Sequence, residues 1–201
     1  MSEGQKGYRP KPMKKIIAEI SGRHIHLSQA DLFKLFGKNY KLKKLKDLSQ
    51  PGEFASTAIV RVKGPKNILS RVRIVGPSRK NTQVELTVSD CRFLGINPVF
   101  RLSGDHKNSS GGLKLIGPKG SILLKTGVIV PLRHLHISVS DARKWHLKNG
   151  QKVRAKIPGI RGLVFDNIIV RIGNFETRVH LDTDEANAAG LLSCSKIDLD
   201  I

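Results

Sequence analysis

Two short runs of the 201-residue chain carry the residues best suited to chemistry: "GRHIHLSQAD" at 22–31 and "LRHLHISVSD" at 132–141. Four of the seven histidines lie in them. Each run reads Arg-His-aliphatic-His-aliphatic-Ser and ends in Asp. In a strand, residues i and i+2 project to the same face. His24 and His26 therefore share one face, with Ile25 and Leu27 on the other, and His134 and His136 share a face backed by Leu135 and Ile137. Two neutral imidazoles side by side can ligate one zinc or similar borderline cation. A single such pair reads as well as two surface histidines, but its return in an equivalent setting favours a metal. Two donors do not complete a site. His180, in "TRVHLDTDEAN", ends an expected strand and is the first candidate for a further donor. Glu85, in "TQVELTV", is an acid inside an apolar strand. It either needs a partner, because an unpaired buried carboxylate is costly, or faces outward on a half-exposed strand. His106, in a polar loop, and His146, on an expected helix, read as solvated.

The elements that must position these side chains are mostly short strands. Residues 1–13 are polar, with two prolines, and read as a disordered tail. "KKIIAEIS" is a strand leading into the first histidine pair. "LSQADLFKLFG" is a short helix with Ser28 as N-cap, Asp31 three residues on and Gly37 as its stop. "LSQPGEFA" holds a Pro-Gly turn. From about 57 to 131 the pattern predicts strands throughout, "TAIVRVKG", "LSRVRIVG", "TQVELTV", "GLKLIG" and "SILLKTGVIV", separated by turns such as "GPKN" and "GPSR". The second histidine pair opens a matching unit. Ser138 again precedes Asp141 by three, "DARKWHLKNG" reads as a short helix closed by Gly150, and "QKVRAKI", "LVFDNIIVRI" and "ETRVHLD" read as strands. "TDEANAAGL" is one or two helical turns. The chain thus carries a loose internal duplication. The simplest architecture is mainly β: two small β-barrels capped by short helices.

Composition narrows the function classes. Thirty-six Lys and Arg against sixteen Asp and Glu leave a net charge of +20, which attracts polyanions such as nucleic acid or phosphate-rich ligands, or else serves solubility. The densest cluster, "KLKKLKD" at 41–47, has no interleaved aromatic residues, so stacking platforms for single strands are scarce. No apolar run reaches the roughly 18–20 residues of a membrane span. The N-terminal "MSEGQKGYRPKPMKK" has neither an apolar core nor a cleavage site, which predicts a cytoplasmic protein. Cys91 and Cys194 are too few for a zinc-thiolate framework and read as two reduced thiols.

The segments "RHIHLS", "KLKDLSQPGEFA", "VRIVGPSRKNTQVELT", "GINPVFRLSGD", "GVIVPLRHLHIS", "RGLVFDNIIVRI" and "HLDTDEANAAGL" together resemble the phosphate propanoyltransferases of the propanediol-utilisation type, a family of zinc phosphotransacylases. The match runs in one order over roughly residues 16–192. The resemblance implies an active site between the two barrels and a discontinuous division: 1–22 plus 132–201 as one barrel domain, 23–131 as the other. It implies two zinc ions per chain, with cobalt or iron as substitutes. One would be held by His24, His26 and Glu85 with the coenzyme A thiol sulfur, the second by His134, His136 and His180. It assigns phosphate binding and catalysis to Arg79, in "GPSRKNTQ", and a place near the reaction centre to Ser103, in "LSGD". Coenzyme A contacts fall on the main chain of Ile20, Ser21 and Gly22, and on Lys66, Arg73 and Asn187. The implied partners are acyl-CoA and phosphate, with a homodimer or larger homo-oligomer. The N-terminus lacks the amphipathic extension that sends such enzymes into microcompartments, so a cytoplasmic location is expected. Gly22 stands where the family usually has Asn.

The implied reaction is acyl-CoA plus phosphate giving acyl phosphate plus coenzyme A, with propionyl-CoA or acetyl-CoA as substrate. Neither cysteine sits in a setting suited to a covalent acyl-enzyme. The alternative from another class is a basic double barrel that binds nucleic acid, recognisable by steep salt dependence and indifference to chelators. A metal-dependent hydrolase on the same frame would consume acyl-CoA without phosphate.

Overall fold

The computed structural model describes residues 13–201. The tail expected over 1–13 therefore lies outside the described residues, apart from Met13, which opens the first strand. The architecture is mainly β, as the strand patterns predict: one closed six-stranded barrel and one half-barrel, with four short helices among the described residues.

The barrel takes β1 (Met13–Ser21) from the start of the chain and closes it with β11 (His134–Ser138), β12 (Lys152–Ile157), β13 (Leu163–Gly173), β14 (Arg178–Asp182) and β15 (Ser195–Asp200). The strand order is β1-β14-β11-β13-β12-β15, and β15 pairs back onto β1. Strand β12 alternates strictly, with Val153, Ala155 and Ile157 inside and Lys152, Arg154 and Lys156 outside. This is the period-two pattern of a strand with one wet face. The barrel core gathers Ile16, Leu135, Ile137, Val170, Val179 and Ile197, among others.

The half-barrel runs between, through β2 (His24–His26), β3 (Lys44–Asp47), β4 (Phe54–Lys63), β5 (Ile68–Gly76), β6 (Gln83–Glu85), β7 (Phe100–Arg101), β8 (Leu113–Ile116), β9 (Ser121–Leu124) and β10 (Val128–Pro131). Its order is β7-β10-β6-β2-β5-β4-β8-β9, with β3 paired onto β4. It has its own core, including Ile25, Leu27, Leu32, Ile74, Val84 and Leu115.

The chain changes sheets twice where the function needs it. Only Gly22 and Arg23 separate β1 of the barrel from β2 of the half-barrel, and only Leu132 and Arg133 separate β10 of the half-barrel from β11 of the barrel. Each histidine pair begins one residue after its arginine.

Helix α1 (Gln29–Phe36) starts at the Ser28 N-cap, whose hydroxyl accepts from the Asp31 N–H at 3.2 Å, and stops at Gly37, φ 104°. Helix α3 (Val139–Lys144) repeats the cap with Ser138 and Asp141 at 3.1 Å. It is shorter than the sequence suggests. It ends at Trp145, and His146 turns the chain at φ 54°, well before Gly150. Helix α2 (Val88–Leu94) falls where strands alone were expected. Thr87 and Asp90 form a reciprocal capping box and Gly95 closes the helix in the left-handed region. These start and stop signals outweigh the apolar run in which they lie. Helix α4 (Thr183–Ala188) follows β14 with a capping box of Asp182 and Glu185. No described helix is long and apolar enough to cross a membrane.

Leu135 and Ile25, each fully buried beside a histidine, anchor the two cores. Truncating either to alanine is expected to cost about 2–5 kcal/mol of unfolding free energy, read as a lowered urea midpoint at unchanged slope.

Candidate active site

Strand alternation sends Ile25 and Leu27 into the half-barrel core, and Leu135 and Ile137 into the barrel core. The histidines between them face the other way, into a cavity of about 540 Å³ lined by both sheets. His24, His26 and Glu85 come from the half-barrel, and His134, His136 and His180 from the barrel.

In the first group, His24 pairs across the ladder with Glu85. The His24 Nδ1–H donates to the Gly22 carbonyl at 2.9 Å, which fixes the proton there and leaves the Nε2 lone pair free. That Nε2 lies 3.2 Å from Nε2 of His26 and 3.6 Å from Oε2 of Glu85. The Ser103 hydroxyl donates to the other carboxylate oxygen at 2.5 Å. Glu85 is thus a buried carboxylate held through Oε1, and the outward-facing reading is excluded.

In the second group, His134 pairs across the ladder with His180. Its Nδ1–H donates to the Leu132 carbonyl at 2.8 Å, the same two-residue reach seen in His24. The rings of His134 and His180 stack 5.0 Å apart, and His136 meets His180 at 4.7 Å. Both ring nitrogens of His136 are buried without a hydrogen-bond partner among the described residues. From the half-barrel, Gln50 reaches across with its amide nitrogen 3.2 Å from Nε2 of His180.

The duplication extends beyond the histidines. Thr82 donates to Asp31 and accepts the Ser28 N–H, while Thr177 donates to Asp141 and accepts the Ser138 N–H. Three residues after each threonine stands the third donor, Glu85 or His180. Arg23 holds Asp90 of the α2 capping box through two contacts, 2.9 and 2.8 Å, and Arg133 holds Glu185 of the α4 capping box at 2.7 Å. The two groups are built on one local frame used twice.

Each set of three offers donor atoms within 4.8 Å of one another. The imidazoles of His26, His134, His136 and His180 are held neutral, as ligation requires. His26 is pushed down to about 2, by burial first and then by His24 and Arg79. Burial, then His134 and His180, pushes His136 to about 2 as well. His134 falls to about 4 through burial and His180. His180 falls to about 4 through burial and Arg171. Clustered neutral nitrogens, three of them buried without a hydrogen-bond partner among the described residues, suit a borderline divalent cation.

Of the other residues singled out from the sequence, Ile20, Ser21, Gly22, Arg73, Arg79 and Ser103 line the cavity. Arg79 donates to Glu53 at 2.7 Å, and Arg73 to the Ser56 carbonyl at 2.6 Å. Lys66 and Asn187 do not line it. Lys66 packs its stem against Gly95, and Asn187 is exposed on α4. Arg171, Phe175, Gln50 and Glu53 line the cavity without having been picked out individually. Arg171 carried a readable signal, a lone charge in the apolar strand "IIVRI", of the kind that marked Glu85. Gln50 and Glu53 lie in a segment that reads only as a turn, and nothing local marks Phe175. Cys91 is buried on α2, where burial, with Asp90 second, pushes its thiol up to about 11. Cys194 is exposed.

The lowered imidazole values fix a pH dependence. Unfolded histidine titrates near 6.5, so below that pH the unfolded chain binds more protons than the fold. Stability from these groups is fully present above pH 6.5. It is lost as pH falls through about 4 for His134 and His180, with further loss toward about 2 from His26 and His136. Urea midpoints of the metal-free protein at fixed ionic strength are expected to drop across that window. A flat profile contradicts buried neutral imidazoles.

A family model described as phosphate propanoyltransferase matches residues 17–192. A curated relative from Enterococcus faecalis, named phosphate propanoyltransferase, is 45% identical over 86% of this chain and 82% of its own length. Relatives of the same name from Leptotrichia buccalis and Thermotoga maritima are 44% and 42% identical, each over 88% of this chain and 84% of their own length. With the match running through both histidine groups, the chain belongs to the phosphate propanoyltransferase family, a family of phosphate acyltransferases.

Proposed function

We propose that the chain transfers a propionyl or acetyl group between coenzyme A and inorganic phosphate in the cavity between its two sheets. A phosphate oxygen adds to the thioester carbonyl carbon, the C–S bond breaks, and coenzyme A leaves as the thiolate. The observation that carries this reading is the convergence of two three-donor groups on one cavity that also holds Arg79.

The donor sets His24, His26, Glu85 and His134, His136, His180 fit two zinc ions, or cobalt or iron, which when bound supply Lewis-acid polarisation of the carbonyl and stabilise the departing sulfur. Arg79 holds phosphate through its forked donors. Glu53 pairs with that guanidinium, so phosphate displaces or shares the carboxylate. Ser103 orients Glu85, and its loop is pinned by the Gly104 N–H donating to Gln83 at 3.0 Å. Ile20, Ser21, Gly22 and Arg73 contact coenzyme A inside the cavity. Lys66 and Asn187 contact only the part of it that extends beyond. We read 1–22 with 132–201 as one domain and 23–131 as the other, supported by the two separate cores. The enzyme works in the cytoplasm as a homodimer or larger oligomer.

Thiol release from propionyl-CoA, acetyl-CoA and butyryl-CoA, measured with metal analysis, tests the proposal. Release is expected only when phosphate is present, and chelators are expected to abolish it. Release without phosphate identifies a hydrolase instead. Arg79→Ala is expected to cost ~10²–10³ in turnover at fixed phosphate while both metals stay bound. Loss of metal makes Arg79 structural. His106→Ala and His146→Ala leave activity and metal content intact.

A further inference from the structure

The cations facing the cavity are not equally partnered. Arg23 is held by Asp90, Arg79 by Glu53, and Arg73 donates to a main-chain carbonyl. Arg171, half-buried on β13, forms no ion pair among the described residues. It stands beside His136 in the parallel ladder between β11 and β13. A stack of rings holds it in place of a carboxylate. Its guanidinium carbon lies 6.0 Å from the centroid of Phe175, and Phe175 stacks on His136 at 4.0 Å and 11°. The ring sits against Gly173, where a Cβ would come within 2.6 Å of it. Phe175 therefore holds its position only because residue 173 has no side chain.

Arg171 opens from the barrel side, and Arg79 from the half-barrel side, onto the same cavity as both donor groups. A partly desolvated cation with no counter-ion is costly to keep, and arginine cannot escape the cost by losing its proton. An anionic ligand removes it.

We propose that Arg171 is a second guanidinium of the phosphate site, which meets the anion's oxygens from the barrel while Arg79 meets them from the half-barrel. Its missing counter-ion is the phosphate itself. This rests on the phosphotransacylase reading and adds a residue to it. Arg79 is already shared with Glu53, so the unpaired fork of Arg171 supplies donors for anion oxygens that Arg79 does not reach. Phe175 is a positioning residue that holds Arg171 over the site.

The test compares Arg171→Gln and Arg171→Lys with the parent in the metal-loaded protein. Arg171→Gln is expected to raise the phosphate KM by ~10²-fold or more, to shift the propionyl-CoA KM less than about twofold, and to keep both metals. Arg171→Lys keeps the charge but loses the fork, and falls between. Phe175→Leu, which keeps the guanidinium but not the stack, moves the phosphate KM in the same direction by a smaller factor. An unchanged phosphate KM in Arg171→Gln overturns the proposal. So does a raised propionyl-CoA KM alone, which would give Arg171 to coenzyme A. Calorimetric binding of inorganic phosphate to parent and variant, without thioester, keeps the two readings apart. If the parent shows no transfer activity but binds phosphate, and Arg171→Gln does not, the reaction is wrong and the anion site stands. Equal binding by both removes Arg171 from the site whatever the reaction.

Discussion

The two-residue period of a β-strand is the constraint on which the site depends. In β2 and β11 the aliphatic members of His-x-His are fully buried, each in a different core. The histidines are then forced onto the opposite faces. They face each other because both crossings between sheets are two residues long and end at a histidine pair. A one-residue slip in either ladder would bury imidazole in the core and expose aliphatic side chains to the cavity, so packing energy enforces the geometry of the histidine groups. Few contacts hold β2 itself, which is three residues long. The Arg23–Asp90 pair, joining residues 67 positions apart, closes the ladder from the side, as Arg133–Glu185 does across 52 positions in the barrel.

The frame is symmetric and its ends are not. The same ladder position opposite the first histidine holds Glu85 in one half and His180 in the other. The threonine brace, the serine cap and the capping box match between halves, so the difference is confined to the donor. A carboxylate brings a formal negative charge and a second oxygen, here taken by Ser103. An imidazole brings neither, and His180 takes its additional contact from Gln50 of the other sheet. Two groups built alike are thereby given different electrostatics.

Much of this was legible in the amino-acid order, for identifiable reasons. Alternation gave the shared faces of His24 with His26 and of His134 with His136, and Ser28 and Ser138 marked helix starts through side chains that bond three residues away. These are local signals. Helix α2 was missed although Thr87, Asp90 and Gly95 marked both its ends, because the surrounding apolar run suggested a strand. Strand β15, and the parallel pairing of β1 with β14 across about 160 residues, left no local trace, since barrel closure depends on long-range pairing. The same applies to Gln50, which meets His180 only because the turn "SQPGE" lies at the junction of the sheets. Arg171 did carry a local signal, a lone charge among apolar residues, but a single arginine in a strand also reads as solvent-facing until the cavity beside it is known.

The net charge of +20 acts on a different scale from the charges in the cavity. Strand β3 exposes Lys44, and most of the surplus cations are likewise dispersed rather than gathered on one stripe. At physiological salt the screening length is about 8 Å, so a surface lysine farther than that from a bound anion adds little to its affinity. What such a field does is raise the local concentration of anionic ligands and speed their encounter. Inside the cavity Arg79 is offset by Glu53 and Arg23 by Asp90, burial keeps His26 and His136 neutral, and Arg171 has no ion pair among the described residues. Affinity is therefore set by the few charges left over at that depth, not by the total read from composition. A protein can be strongly basic overall while the ionic character of its cavity is set by a few buried or paired groups.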